Sequence, residues 1–213
     1  MNFERLLEIV GEEPVFETAL LLAGEVNPDA VRLQISRWVK AGKIIQIRRG
    51  LYALAPPYQK VKPHPFRIAN RLVRASYVSL QSALAHFGWI PEYVPATTSV
   101  TTNRPGRWES PLGIFEFRHI KAELLRGYRQ VSLEGGQQAF LALPEKALLD
   151  LVYLQPGGDS PAYLRELRLQ NLGRLDVGEL HQQARGFGSP KIGRAVGIIA
   201  DLAQAESQEY ESV

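Results

Sequence analysis

The sequence contains no cysteine in its 213 residues. That excludes a disulfide framework and any thiolate metal site. Long apolar runs are missing too: none approaches the roughly 20 residues a membrane-spanning helix needs. The opening stretch, MNFERLLEIV, carries acids where a secretory signal carries bases. The expectation is a cytoplasmic protein with no membrane partner. Histidine is scarce. The four, at positions 64, 86, 119 and 181, show neither an HExxH motif nor a paired spacing, so no metal ligand set is expected. A Gly-x-Ser-x-Gly nucleophile elbow is absent. The run Gly186-Phe187-Gly188-Ser189-Pro190-Lys191 lacks the Gly-Lys-Ser/Thr ending of a phosphate loop. These absences predict no enzyme activity, no catalytic residue and no cofactor.

The most informative absence is acidic. Between Ala30 and Pro91 there is no Asp or Glu, while the same span holds eleven Lys and Arg residues. A solvated protein surface normally mixes both signs. Net charge is only +3, but residues 1–26 carry one Arg against six Glu, and residues 201–213 carry four acids and no base. Positive charge is thus concentrated in one third of the chain, the electrostatic footprint of a nucleic-acid binder. Otherwise the composition, 45% hydrophobic and 22% charged, is that of a globular chain long enough for one large domain or two small ones.

Within the basic span, Asn27 and Pro28 give a helix start, since Asn caps well and Pro at the first helical position loses nothing. Val31, Ile35, Trp38 and Val39 recur at helical spacing, and Gly42 ends the helix. Two β-forming runs follow, Ile44 to Ile47 and Leu51 to Leu54, separated by Arg48-Arg49-Gly50. This predicts a hairpin with two guanidinium groups at its tip. A helix followed by such a hairpin is the second half of a winged helix-turn-helix, in which the helix enters the major groove of double-stranded DNA. The face opposite Val31 carries Asp29, Leu33, Ser36, Arg37 and Lys40, with Arg32 on the flank. Arg32, Ser36 and Arg37 are the candidate base readers. Lys40, Lys43, Arg48 and Arg49 are better placed for phosphates.

Upstream, Asn2 to Val10 reads as a helix, and Val15 to Ala23 as a second one begun by Pro14 and closed by Gly24. The Glu residues of this stretch are expected to face solvent or the other domain, since phosphate would repel them. Pro56, Pro57, Pro63 and Pro65 mark a semi-rigid joint. The helix after it carries Arg67, Arg71 and Arg74, which fit either an extension of the DNA surface or a solvated face.

From Ser76 onward the chain reads as a helix near Leu80 to Phe87 capped by Ser79. Strands follow near Thr97–Thr102, Ile114–Ile120, Tyr128–Leu133 and Gln138–Ala142, then four helices. The helices are expected over Glu145–Leu154, Pro161–Leu172, Val177–Arg185 and Pro190–Ala205, before an acidic, frayed tail. Gly193 and Gly197, one turn apart, would admit a close backbone. Glu116-Phe117-Arg118 stands where a nuclease carries Glu-x-Lys, but Arg replaces Lys and only Glu109 lies nearby. A divalent cation needs more oxygen ligands than that.

The order Ile35-x-x-Trp38-Val39-x-x-Gly42-x-Ile44-x-x-Ile47-x-Arg49-Gly50-Leu51-Tyr52 resembles the N-terminal winged helix of the AbiEi antitoxins. Tyr77 to Leu84 with Gly88, the block from Thr101 to Ile120, and Pro144 to Leu151 resemble segments of that family's C-terminal domain, in the same order. The resemblance implies a self-repressing bacterial regulator that binds promoter inverted repeats and neutralises a nucleotidyltransferase toxin, with a homo-oligomer forming on DNA. A stand-alone winged-helix regulator and a winged-helix-targeted nuclease are the alternatives. The expected architecture is α+β: an N-terminal winged helix-turn-helix over residues 1–55, the joint over 56–65, and a larger domain over 66–213. That larger domain is expected to hold a mostly antiparallel sheet and several C-terminal helices.

Overall fold

The computed structural model describes residues 1–23, 26–92 and 94–211. Helix α1 (Phe3–Val10) is capped by Asn2, whose side chain accepts the Arg5 N–H. The expected second helix is a shorter thing. Phe16–Glu17 forms a strand, β1, and only Thr18–Leu21 is helical, α2. Gly24, expected to close it, and Glu25 of the following turn lie outside the described residues. Helix α3 (Pro28–Lys40) starts where Asn27 accepts two backbone N–H groups, and the chain turns at Gly42 with φ +68°. The hairpin follows as β2 (Ile44–Arg48) and β3 (Leu51–Leu54), with a bulge between Gln46 and Arg48. Strand β1 adds to its other edge, pairing Phe16 with Tyr52 and Glu17 with Leu51, so the order is β1-β3-β2.

This small sheet explains why β1 is not helical. Val15 and Phe16 are both buried, but in different cores. Phe16 joins Leu6, Val10, Val31, Ile35 and Trp38 beneath the first three helices, whereas Val15 joins the core of the rest of the chain. Only an extended backbone sends neighbouring residues to opposite sides. Strand β3 does the same: Tyr52 and Leu54 face the helices, Leu51 and Ala53 the larger core. The three-stranded sheet is a wall shared by two cores.

After the prolines, α4 spans Pro65–Leu72 and β4 spans Ser76–Val78. Then come α5 (Leu80–His86), β5 (Ala96–Thr101), β6 (Gly106–Ser110), β7 (Gly113–His119), β8 (Tyr128–Ser132) and β9 (Gln138–Ala142). Strand β6 was not expected; its Trp108 packs edge-on against Phe117 of β7. The six strands form one sheet in the order β6-β7-β5-β4-β9-β8. It is mixed: β5–β7 and β4–β9 are parallel, and the remaining neighbours are antiparallel. The class is therefore α+β with a mixed sheet.

Helices α6 (Pro144–Leu154), α7 (Pro161–Glu166), α8 (Val177–Arg185) and α9 (Pro190–Glu211) complete the chain. Helix α7 is shorter than expected, and α9 runs past Ala205 to Glu211. Gly193 and Gly197 have no atom within 4 Å of where a Cβ would stand, so no backbone approaches them among the described residues. Helix α6 corrects a further expectation. It does not bury one side only: every residue from Glu145 to Val152 is buried, with α5, α8, α9 and β9 around it. No helix among the described residues is long and apolar enough to cross a membrane.

The joint is tied down. Gln137, buried ahead of β9, accepts the His64 N–H at 2.9 Å and donates to the Lys62 carbonyl at 2.9 Å.

Candidate nucleic-acid interface

Helix α3 divides its residues as the spacing demands. Val31, Ile35 and Trp38 are buried, and Phe3 meets the rings of both Trp38 and Tyr58 edge-on. Arg32, Leu33, Ser36, Arg37 and Lys40 are exposed. Leu33 is 54% exposed, a large apolar side chain presented to solvent between basic residues. Asp29 is the only acid on the helix, and its carboxylate pairs with Arg32 at 2.9 Å. Arg37 donates to Gln34 at 3.3 Å, which holds the guanidinium along the helix face. The basic last turn, Arg37 and Lys40, also suits the negative end of the helix dipole.

Two of the three remaining candidates are less exposed than the sequence implied. Lys43 is half-buried, with its ammonium 4.6 Å from the centre of the Phe3 ring. Arg48 is half-buried at the bulge and donates to the Arg49 carbonyl at 3.2 Å, while Arg49 itself is exposed at the hairpin tip. Arg32, Ser36, Arg37 and Lys40 therefore share one face of α3, Arg49 crowns the hairpin, and Lys43 and Arg48 sit at the junctions between them.

Arg71 and Arg74 of the α4 region do something the sequence did not offer. Both approach Glu17 of β1, at 3.8 Å and 3.3 Å. Glu17 thus faces the rest of the molecule, one of the two settings expected for the N-terminal acids. Arg67 lies nearby and donates to the Gln138 carbonyl at 3.5 Å.

The carboxylates that a nuclease would need are occupied otherwise. Arg107 bridges Glu109 and Glu116, each at 2.8 Å, and among the described residues no three His, Asp or Glu side chains converge to hold a metal ion. His119 is an exposed strand residue whose ring contacts the Asn103 carbonyl at 3.1 Å.

A polar cluster that sequence reading missed lies inside the second core. Lys146 (1% exposed) and Asp150 (0%) form an ion pair one turn apart on α6. Lys146 also donates to the Tyr77 hydroxyl at 2.8 Å. Tyr77 and Ser79 donate to Asp150 at 2.9 and 2.8 Å. Ser79, expected to cap α5 with its side chain, gives its hydroxyl to this cluster instead. Burial pushes the Lys146 ammonium below its ordinary pKa, against the opposing pull of Asp150. Burial, then the neighbouring Asp150, pushes the Tyr77 phenol well above its own. The available signal was the i,i+4 Lys–Asp spacing inside an otherwise apolar helix.

No protein-family model matches this chain, and no curated protein matches it either.

Proposed function

We propose that this protein is a winged helix-turn-helix transcriptional regulator that binds double-stranded DNA through α3 and the β2–β3 hairpin. The observation that carries the reading is the outward face of α3, where Leu33, Ser36, Arg37 and Lys40 stand together over a buried Val31–Ile35–Trp38 stripe. In the major groove each has a partner: Arg37 a guanine edge, Ser36 either kind of base, Leu33 a thymine methyl. Lys40, Lys43, Arg48 and Arg49 take phosphates, and Arg32 joins them or reads a base once it leaves Asp29. The hairpin that follows α3 is the wing.

The resemblance to the AbiEi antitoxins adds the finer reading. The operator is a pair of inverted repeats in the protein's own promoter, bound by a homo-oligomer, and the larger part of the chain contacts a nucleotidyltransferase toxin. In this account the protein has no catalytic role of its own.

The test is fluorescence anisotropy with the DNA upstream of its own reading frame and with a random duplex of equal length. The expected outcome is binding to the upstream DNA at least about 10³-fold tighter than to the random duplex. Equal affinity would remove the regulatory reading, and no binding to either would remove DNA. Co-expression with a nucleotidyltransferase encoded beside it tests the antitoxin role. Growth restored by this protein supports that role, and unrelieved toxicity leaves a stand-alone regulator.

A further inference from the structure

A cleft of about 300 Å³ opens where α4 meets β8 and β9, beside β1 of the N-terminal sheet. Its lining is chemically divided. Arg67, Arg71 and Arg74 supply guanidinium groups on one side, and Tyr128 and Phe140 supply aromatic rings on the other. Among the described lining residues, Glu17 is the only acid. Tyr128 stacks on buried Tyr77 with ring centres 4.5 Å apart and the planes tilted by 17°, and Phe140 meets its edge at 5.8 Å. Tyr128 and Phe140 are nonetheless exposed large side chains, so the stack is covered on one side and presented to solvent on the other.

The guanidinium groups are poorly satisfied. Arg71 Nη2 stands 3.8 Å from Glu17, outside hydrogen-bonding range, and its Nε is buried with no hydrogen-bond partner among the described residues. Arg74 reaches Glu17 at 3.3 Å with its side chain 83% exposed. One carboxylate therefore serves two arginines at long distance. A phosphate, with more acceptor oxygens and more charge, satisfies such a pair better than one carboxylate does.

We propose that this cleft binds a free mononucleotide, with the phosphate between Arg71 and Arg74 in place of Glu17 and the base on the open face of Tyr128. Size and chemistry favour this over duplex DNA. The volume is at the lower end of small-ligand sites, and a stacking platform requires a base whose π-face is not already covered, which a duplex does not offer. The site is separate from the exposed face of α3 and does not depend on the DNA reading.

The experiment is isothermal titration of the full-length protein with adenosine 5′-monophosphate, adenosine and inorganic phosphate, with a short single-stranded oligonucleotide as a fourth probe. The mononucleotide is expected to bind at least about tenfold more tightly than adenosine or phosphate alone. Arg74→Ala, a change at an exposed position that leaves folding intact, should weaken it about tenfold. Glu17→Gln should tighten it several-fold, because a competing carboxylate is gone; a purely structural Glu17 would give no gain. Failure of the mononucleotide to bind either the parent or Glu17→Gln overturns the proposal. So does phosphate binding as tightly as the mononucleotide, and so does an oligonucleotide that binds while the mononucleotide does not.

Discussion

Tyr77 and Asp150, 73 residues apart in sequence, meet in a buried hydrogen bond of 2.9 Å, and the same carboxylate receives Ser79 and Lys146. The contact joins β4 to α6 and so fixes the sheet against the central helix. A buried ion pair is costly to break from one side, because the remaining charge has no partner. Asp150→Ala should therefore destabilise the protein by roughly 3–5 kcal/mol. The neutral pair Lys146→Met with Asp150→Asn should lie closer to the parent than either single change, since Asn still accepts from Tyr77. Urea unfolding of Asp150→Ala, of the single changes Lys146→Met and Asp150→Asn and of their pair measures this, and simple additivity of the two single losses in the pair would contradict it.

Helix α3 begins on the Asn27 side chain, which accepts the N–H groups of Asp29 and Ala30 at 3.0 and 3.1 Å. Asn27→Ala should cost about 1 kcal/mol. DNA affinity should fall with it if α3 is the groove helix, since its first turn would fray. Chemical denaturation and anisotropy on one variant check both.

Acid should weaken the fold through the joint. His64 Nδ1 accepts the Phe66 N–H at 3.1 Å at the start of α4, which a protonated ring cannot do. Burial, then the nearby His86, holds His64 below its ordinary pKa of 6.5 against the opposing pull of Glu134, and burial does the same to His86. Below pH 6.5 the unfolded chain takes up protons the folded chain resists, so stability is full above that pH and declines as pH falls towards the folded values. His64→Asn with His86→Gln keeps a capping side chain and should flatten the decline. Melting temperatures between pH 5 and 7.5 provide the comparison.

The nuclease alternative makes its own demand. With Glu109 and Glu116 both bonded to Arg107, no Mg²⁺- or Mn²⁺-dependent DNA cleavage is expected from the purified protein. Cleavage that disappears in Glu116→Ala would reverse the non-enzyme reading.

What was legible in the sequence follows the range of the forces involved. The limits of α3 are set by local chemistry, a capping Asn, a first-position Pro and a Gly at positive φ, and all three could be read directly. The outward face of α3 was legible for the same reason, because a 3.6-residue period needs no knowledge of the partner. Strand β1 was not, since Val15-Phe16 extends only because two cores lie on opposite sides of it. The half-burial of Lys43 depends on Phe3, forty residues earlier, and that of Arg48 on a bulge. The parallel pairings β5–β7 and β4–β9 join segments whose register no local pattern encodes. Lys146 and Asp150 were readable as a pair but not as buried, because the hydroxyls that satisfy them come from β4 and the residue after it.

The central claim, that α3 and its hairpin meet DNA, is tested most directly by the salt dependence of binding to the upstream duplex. If the proposal holds, Lys40, Lys43, Arg48, Arg49 and one arginine of α3 would make about five phosphate contacts per bound module. The logarithm of affinity should then fall against the logarithm of salt with a slope of about −4 to −5, and of about −3 in Arg48→Ala/Arg49→Ala. A slope near zero, or one unchanged in that double variant, would contradict the account.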